Sequence, residues 1–414
     1  MAIPSERMIP YMTTAERFLR YAAVSTPSTE PCEGTPSTAC QFDLAKLLVE
    51  DMKTIGFENV RLTENCFVYG DLPATAGMED LPVLGLIAHM DTAPAFNGMN
   101  VKPLLHPNYD GGDIVLPATG AVLSPVQFPE LKELKGKTLI TSDGSTLLGA
   151  DDKAGVAEIL SACQQVVEQG LAHRKIVVAF TPDEEIGTGV HSFDVAGFGA
   201  DYAYTVDGGA LGEISYENFN ACEAVVEFTG FSVHPGSAKD TMINANLLAV
   251  EFASLLPGTE TPRDTEGYEG FFHLEAMEGD SVKARLVYIV RDHSATRFEG
   301  RKEQLRHIEK ILNHRWGEGC VKLTLREQYR NMREKIDPCF FLIENARSAM
   351  RAAGFEPFDA PVRGGTDGAQ LCYMGLPCPN LCTGGHAFHG PYEHIAAEDM
   401  EACTRMLREL ICQK

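Results

Sequence analysis

The chain has 414 residues, enough for a large core and for two domains or more. Its formal net charge of -23, with no basic patch to offset it, argues against nucleic acid and anionic membrane surfaces as partners. Hydrophobic residues at 44% and charged residues at 22% are ordinary for a globular protein, and no apolar run approaches the roughly 20 residues of a membrane span.

The amino terminus, MAIPSERMIPYMTTAERFLRYAAV, has no basic region followed by an apolar stretch. It is therefore read as the start of a mature, cytoplasmic protein rather than an export signal. The 12 cysteines are scattered without zinc-site spacing, which suits reduced, mostly buried thiols.

VLGLIAH (83–89), KIVVAFTP (175–182) and YAYTV (202–206) are short apolar runs of the kind found in buried strands. Residues 107–146 are rich in Gly, Pro and Asp and predict long loops with one hairpin. After LLGADDK, the residues Val156, Ile159, Leu160, Cys163 and Val167 recur at helical spacing and stop at Gly170. Strands alternating with helices predict an α/β class, a sheet covered on both faces.

The character changes near residue 219. ACEAVVEFTG and KARLVYIVRD read as strands, and NANLLAVEFASLL and EQLRHIEKILNHRW as amphipathic helices. This predicts a smaller α+β domain over residues 219–330, inserted into a discontinuous catalytic core of residues 1–218 and 331–414. Gly- and Pro-rich loops and a final helix close the chain.

Chemistry gathers just past the apolar strands, where open α/β sheets bind ligands. His89 and Asp91 follow VLGLIA, Glu184 and Glu185 follow VVAFTPD, and Asp207 follows YAYTV. Asp151 and Asp152 open the helix, and His389 lies in GGHAFHG. Each alone has a plainer reading: Asp151 a helix cap, the paired glutamates a solvated surface, Asp207 a turn. Together they would repel one another unless a cation neutralised them. Imidazoles and carboxylates without paired thiolates suit catalytic zinc, manganese or cobalt, and this many suit two ions about 3.5–4 Å apart. His89 and Asp91, two apart in an extended segment, point the same way, so Asp91 can accept the second ring N–H of His89. Adjacent Glu184 and Glu185 point apart, so one can bind metal while the other takes a proton.

The motifs HMDT, SDGSTLLGADDKAG, VAFTPDEEIG, YTVDGG, ENFNA, VHPGSAK, TEGYEGF, NMREK, RGGTDGAQL and GLPCPNL closely resemble the peptidase T family. These are tripeptide aminopeptidases among the two-zinc peptidases that include glutamate carboxypeptidase and succinyl-diaminopimelate desuccinylase. The resemblance runs along nearly the whole chain. It implies a zinc-peptidase catalytic domain with a mixed sheet flanked by helices, and a lid or dimerisation role for the inserted domain. It implies that His89 and Asp207 bind one zinc, that Glu185 and His389 bind the other, and that Asp151 bridges both. A cis peptide follows that residue in the family, with Asp152 shaping the turn. Asp91 would orient His89, and Glu184 would be the general base for a hydroxide bridging the two zincs. His234 in VHPGSAK, a plain loop histidine by itself, would reach the active site of a partner subunit in a homodimer and stabilise the oxyanion. Arg291, with Arg363, would hold the substrate's carboxylate.

Ala387 stands where relatives carry Asn, and His386 mimics a ligand, although His389 is the matching position. The expected function is release of the amino-terminal residue from tripeptides, with cobalt or manganese as possible substitutes for zinc. The alternatives are a dipeptidase, carboxypeptidase or N-deacylase of the same superfamily. A binding protein that kept the fold would not need Glu184.

Overall fold

The computed structural model describes residues 12–413. The reading of the amino terminus as free of an export signal rests partly on residues 1–11, which lie outside the described residues. The chain divides into two compact units. One comprises Met1–Tyr216, Glu334–Ala360 and Thr366–Lys414, the other Glu217–Arg333 and Pro361–Gly365.

The first unit is built on the apolar runs. All six residues of Leu84–His89 and all six of Ile176–Thr181 are buried, as expected of strands covered on both faces. They pair in parallel with each other, and Leu84–His89 pairs in parallel with Tyr202–Gly208, itself parallel to Asn380–Cys382. Antiparallel Val68–Leu72 and Glu58–Leu62 extend one edge, and Glu213–Ser215 with Phe358–Asp359 extend the other. The result is an eight-stranded mixed sheet flanked by helices, the expected class.

The predicted helix runs from Ala150 to Gln169 and ends on Gly170 in the left-handed region. It packs on Leu84–His89 and Tyr202–Gly208, and against the helices Thr14–Ala22 and Ala397–Cys412. Close approach to the sheet requires Gly155, because a Cβ there would clash with the Val206 carbonyl.

The loop-rich segment does contain one hairpin, Ile114–Val115 with Val122–Leu123. It also supplies Leu104–His106 and Leu139–Thr141 to a second four-stranded sheet with Gly385–His386 and His394–Ala396. Strands of two or three residues carry too little periodicity to be read from sequence.

The second unit is a four-stranded antiparallel sheet in the order Phe271–Gly279, Lys283–Asp292, Asn220–Thr229, Val321–Tyr329. Cys222, Ala224, Val226 and Phe228 alternate onto one face, with Leu286, Tyr288 and Val290 beside them. Phe252 of helix Ala245–Ser254 and Phe298, Leu305 and Leu312 of helix Ala295–Trp316 complete this core. The latter helix starts eight residues before its regular apolar pattern. Ser294 caps it by accepting from Arg297 N, and Phe298 anchors the charged first turns.

Candidate metal centre

The site lies at the carboxyl ends of the parallel strands. His89 is the last residue of its strand, and its Nε2 stands 2.9 Å from Asp151 Oδ1 and 3.4 Å from Asp207 Oδ1. On the far side of Asp151, His389 Nε2 stands 3.0 Å from Oδ2 and 3.0 Å from Glu185 Oε2. One carboxylate thus lies between two imidazoles contributed from positions 62 and 238 residues away. Asp151 and Asp152 leave helical geometry and are joined by a cis peptide, where the resemblance implies one.

Asp152 faces inward. Its carboxylate accepts the backbone N–H of His89 at 3.1 Å and that of Gly155 at 3.3 Å. The capping role is therefore carried by the second aspartate, and Asp151 is left to face the histidines.

Asp91 is fully buried. Its backbone oxygen lies 3.1 Å and its Oδ1 3.3 Å from His89 Nδ1. The same carboxylate accepts the backbone N–H of Glu184 at 3.0 Å and of Glu185 at 3.3 Å. Glu184 and Glu185 go to different partners, Glu185 to His389 and Glu184 toward His89 and Asp207.

Two groups offer three ligand atoms within 4.8 Å of one another: His89, Asp151 and Glu185, and His89, Glu184 and Asp207. The electrostatics are those of crowded carboxylates whose main counter-charges are the His89 and His389 imidazoles. Burial, then the charge of Asp207, holds Glu184 well above the usual carboxylate range. Burial, then the charge of Asp151, lifts Glu185 to about 7. Burial lifts Asp207 to about 6 despite His89. Burial also raises Asp151, but hydrogen bonds with His389 and His89 outweigh it and hold this carboxyl low. Those with Asp151 and Glu185 push His389 up to about 11. Two divalent cations fit this donor set, which is all nitrogen and oxygen, and Glu185 Oε1 is buried without a hydrogen-bond partner.

Three supporting residues carry no local signal in the sequence. Asn380 donates from Nδ2 to the Asp207 carbonyl and accepts the Asp207 N–H through Oδ1, both at 3.1 Å. Glu393 accepts the N–H groups of Leu148, Gly149 and Asp151. Asp183, at φ 55°, accepts from Ser37 and Gln41 and so ties down the turn before Glu184. Each partner is more than 140 residues distant.

Residues 146–413 match the model of peptidase family M20/M25/M40. The peptidase T of Alkaliphilus oremlandii is 49% identical over 399 residues, covering 96% of this chain and 98% of that one. The peptidase T of Geobacillus kaustophilus is 51% identical over 398 residues, covering 96% and 97%. The chain belongs to the peptidase T branch of the M20/M25/M40 family. It is a peptidase, and so a hydrolase. Its fold is that of the Bacillus cereus aminopeptidase PepT, with a TM-score of 0.76 at 20% identity over 96% of this chain and 97% of that one. The Bacillus subtilis YXEP protein, a dinuclear metal binding peptidase of the M20 family, superposes with a TM-score of 0.64 at 14% identity over 96% and 98%.

The remaining residues implied by the family belong to the second unit. His234 is exposed, and its Nδ1 accepts the N–H of Gly236 at 3.1 Å. Arg291 is half-buried with its guanidinium 5.2 Å from the Tyr329 ring centre. Arg363 donates to the carbonyls of Gly267, Glu269 and Thr265, and lies over Phe219. Its fork binds a loop of its own unit. Among the described residues no helix is long and apolar enough to cross a membrane, and all 12 cysteines are free.

Proposed function

We propose that this protein is a two-metal aminopeptidase that releases the amino-terminal residue of tripeptides. The observation that carries the reading is the Asp151 carboxylate held between His89 and His389, in a chain half identical to peptidase T proteins over nearly its full length. His89 and Asp207 would hold one zinc, Glu185 and His389 the other, with Asp151 shared. When bound, the cations supply Lewis acidity and make water a nucleophile near neutral pH.

The chain's own residues supply the rest. Asp91 fixes the His89 ring and the backbone of both glutamates, so the two carboxylates cannot exchange places. Glu184, half-buried beside Asp207, takes the proton of the attacking water and returns it to the leaving amine. His234, with Nδ1 already accepting, has Nε2–H free to donate to the oxyanion. We assign it to the partner subunit's site in a homodimer. Arg291 is assigned to the substrate's carboxylate, with Arg363 beside it in that role while it also donates to the loop over residues 265–269. Twelve free thiols and a charge of -23 suit a reducing cytoplasm and solvated surface.

Hydrolysis of a simple tripeptide, followed by mass spectrometry with and without chelator and added zinc, tests this. Loss of the first residue alone, abolished by chelation, by blocking the amino group and by Glu184→Ala, is expected. Cleavage of dipeptides, release from the carboxyl end, or hydrolysis only of acylated amino acids would each move the assignment to the corresponding superfamily activity.

A further inference from the structure

One loop serves the metal centre twice. The segment Gly385–Ala396 presents His389 Nε2 to Asp151 Oδ2 at 3.0 Å. Four residues on, Glu393 turns back beneath the same aspartate. Its Oε1 accepts the backbone N–H of Asp151 at 3.0 Å, and its Oε2 accepts those of Leu148 at 2.7 Å and Gly149 at 2.9 Å. The side chain is buried, with both oxygens committed to backbone donors.

The helix Ala150–Gln169 needs this help. Its cap position is Gly149, which has no side chain, and Asp151 and Asp152 depart from helical φ and ψ. The donors at such a helix start are ordinarily satisfied by a local Ser, Thr, Asp or Asn. Here Asp152 takes only the Gly155 N–H and that of His89, and Asp151 takes none. A carboxylate from 242 residues away does the work at Asp151, which leaves the Asp151 side chain free for the histidines. Glu393 is in turn held by its own loop: its N–H donates to Gly390 O, and the next residues, His394 and Ile395, pair with Thr141 and Ile140.

We propose that Glu393 is a positioning residue that locks the backbone of Asp151 in register with His389, so that one loop sets the spacing of two metal ligands. The inference rests on the two-metal reading above. A carboxylate is required because three converging donors need two acceptor oxygens. A glutamine offers one oxygen and turns its amide hydrogens toward an N–H.

The test is metal titration against a competing chromophoric chelator, with ions counted by mass spectrometry and the thermal unfolding of the chelated protein measured in parallel. The variants are Glu393→Gln, Glu393→Asp and a control, Asp399→Asn. Asp399 is also buried and carboxylate-bearing, but it pairs with Lys137 at 2.5 Å. Glu393→Gln is expected to weaken metal binding about 10–100-fold, the usual effect of removing the support of a ligand. Asp399→Asn should lower the unfolding temperature by as much or more and leave metal affinity near wild type. Should Glu393→Gln fail to fold, Glu393→Asp carries the measurement: its two oxygens fall one methylene short of the three N–H groups, so it too is expected to weaken metal binding. Wild-type affinity in the Glu393 variants, or an equal loss in Asp399→Asn, would overturn the positioning role alone. A wild-type protein that takes up no zinc would instead overturn the two-metal reading, and this inference with it.

Discussion

Asp91 holds Glu184 by its backbone. The Glu184 N–H donates to Asp91 Oδ1 at 3.0 Å, while the same oxygen stands 3.3 Å from His89 Nδ1 and its companion accepts from Glu185 N. One buried carboxylate therefore aligns an imidazole and two glutamates. Asp91→Asn keeps the size but turns an amide toward one of these donors. It should lower activity and metal affinity about 10–100-fold with little change of fold by circular dichroism. Unchanged metal content and activity would remove Asp91 from the positioning scheme.

Adjacent glutamates should separate cleanly by assay. Glu184→Gln is expected to cut kcat about 10²–10⁴-fold while two zinc ions still bind, because proton transfer is lost and the ligands are intact. Glu185→Gln should lose the ion shared with His389. Loss of metal from Glu184→Gln would make Glu184 a ligand instead, as its place within 4.8 Å of His89 and Asp207 donor atoms allows.

Stability of the chelated protein should fall as pH rises. Burial foremost lifts Glu185 from 4.5 to about 7 and Asp207 from 3.8 to about 6. Between about pH 4 and 7 the native form then holds more protons than the unfolded chain, so unfolding becomes easier as pH climbs through that window. The raised pKa of His389, about 11, extends the loss above its ordinary value of 6.5. Asp151, held low, acts the other way only below its ordinary 3.8, and His386, lowered by burial from 6.5 to about 4, offsets part of the loss within the window. Differential scanning calorimetry in chelator at about pH 5 and pH 7.5 should show the lower melting temperature at the higher pH, and added zinc should raise it most there. A chelated melting temperature that rises across this window would contradict the site's electrostatics.

Gly155 sits where the helix meets the sheet. A methyl group there would strike the Val206 carbonyl and the Asp152 carboxylate. Gly155→Ala should cost about 1–3 kcal/mol or more in denaturant unfolding, despite the better helix propensity of alanine. A neutral or stabilising effect would mean that the helix can withdraw from Tyr202–Gly208.

If His234 acts in the partner's site, two inactive variants should rescue one another. Glu184→Gln and His234→Ala homodimers, mixed under conditions of subunit exchange, should recover about a quarter of wild-type activity through heterodimers with one intact site. No recovery from an exchanged mixture would place His234 within its own subunit or outside the reaction.

The strands and the polar residues at their ends were legible because they obey local rules. Leu84–His89, Ile176–Thr181 and Tyr202–Gly208 are apolar runs buried in a sheet, and polarity returns close to the end of each, at His89, Glu184 and Asp207. The helix after Gly149 announced itself by spacing alone. Residue order also singled out the aspartate pair, but not which member caps and which faces the histidines, since a kink in the backbone separates them. Glu393, Asn380 and Asp183 act on partners more than 140 residues away, and no periodicity or propensity encodes such a meeting. Arg363 is the same case: the resemblance implied its role, and only folding showed its bonds to the carbonyls of its own unit. Sequence by itself determined which chemical groups reach the ends of the strands. Only tertiary structure decided how they are held, because a buried donor must find its acceptor wherever the chain happens to bring one.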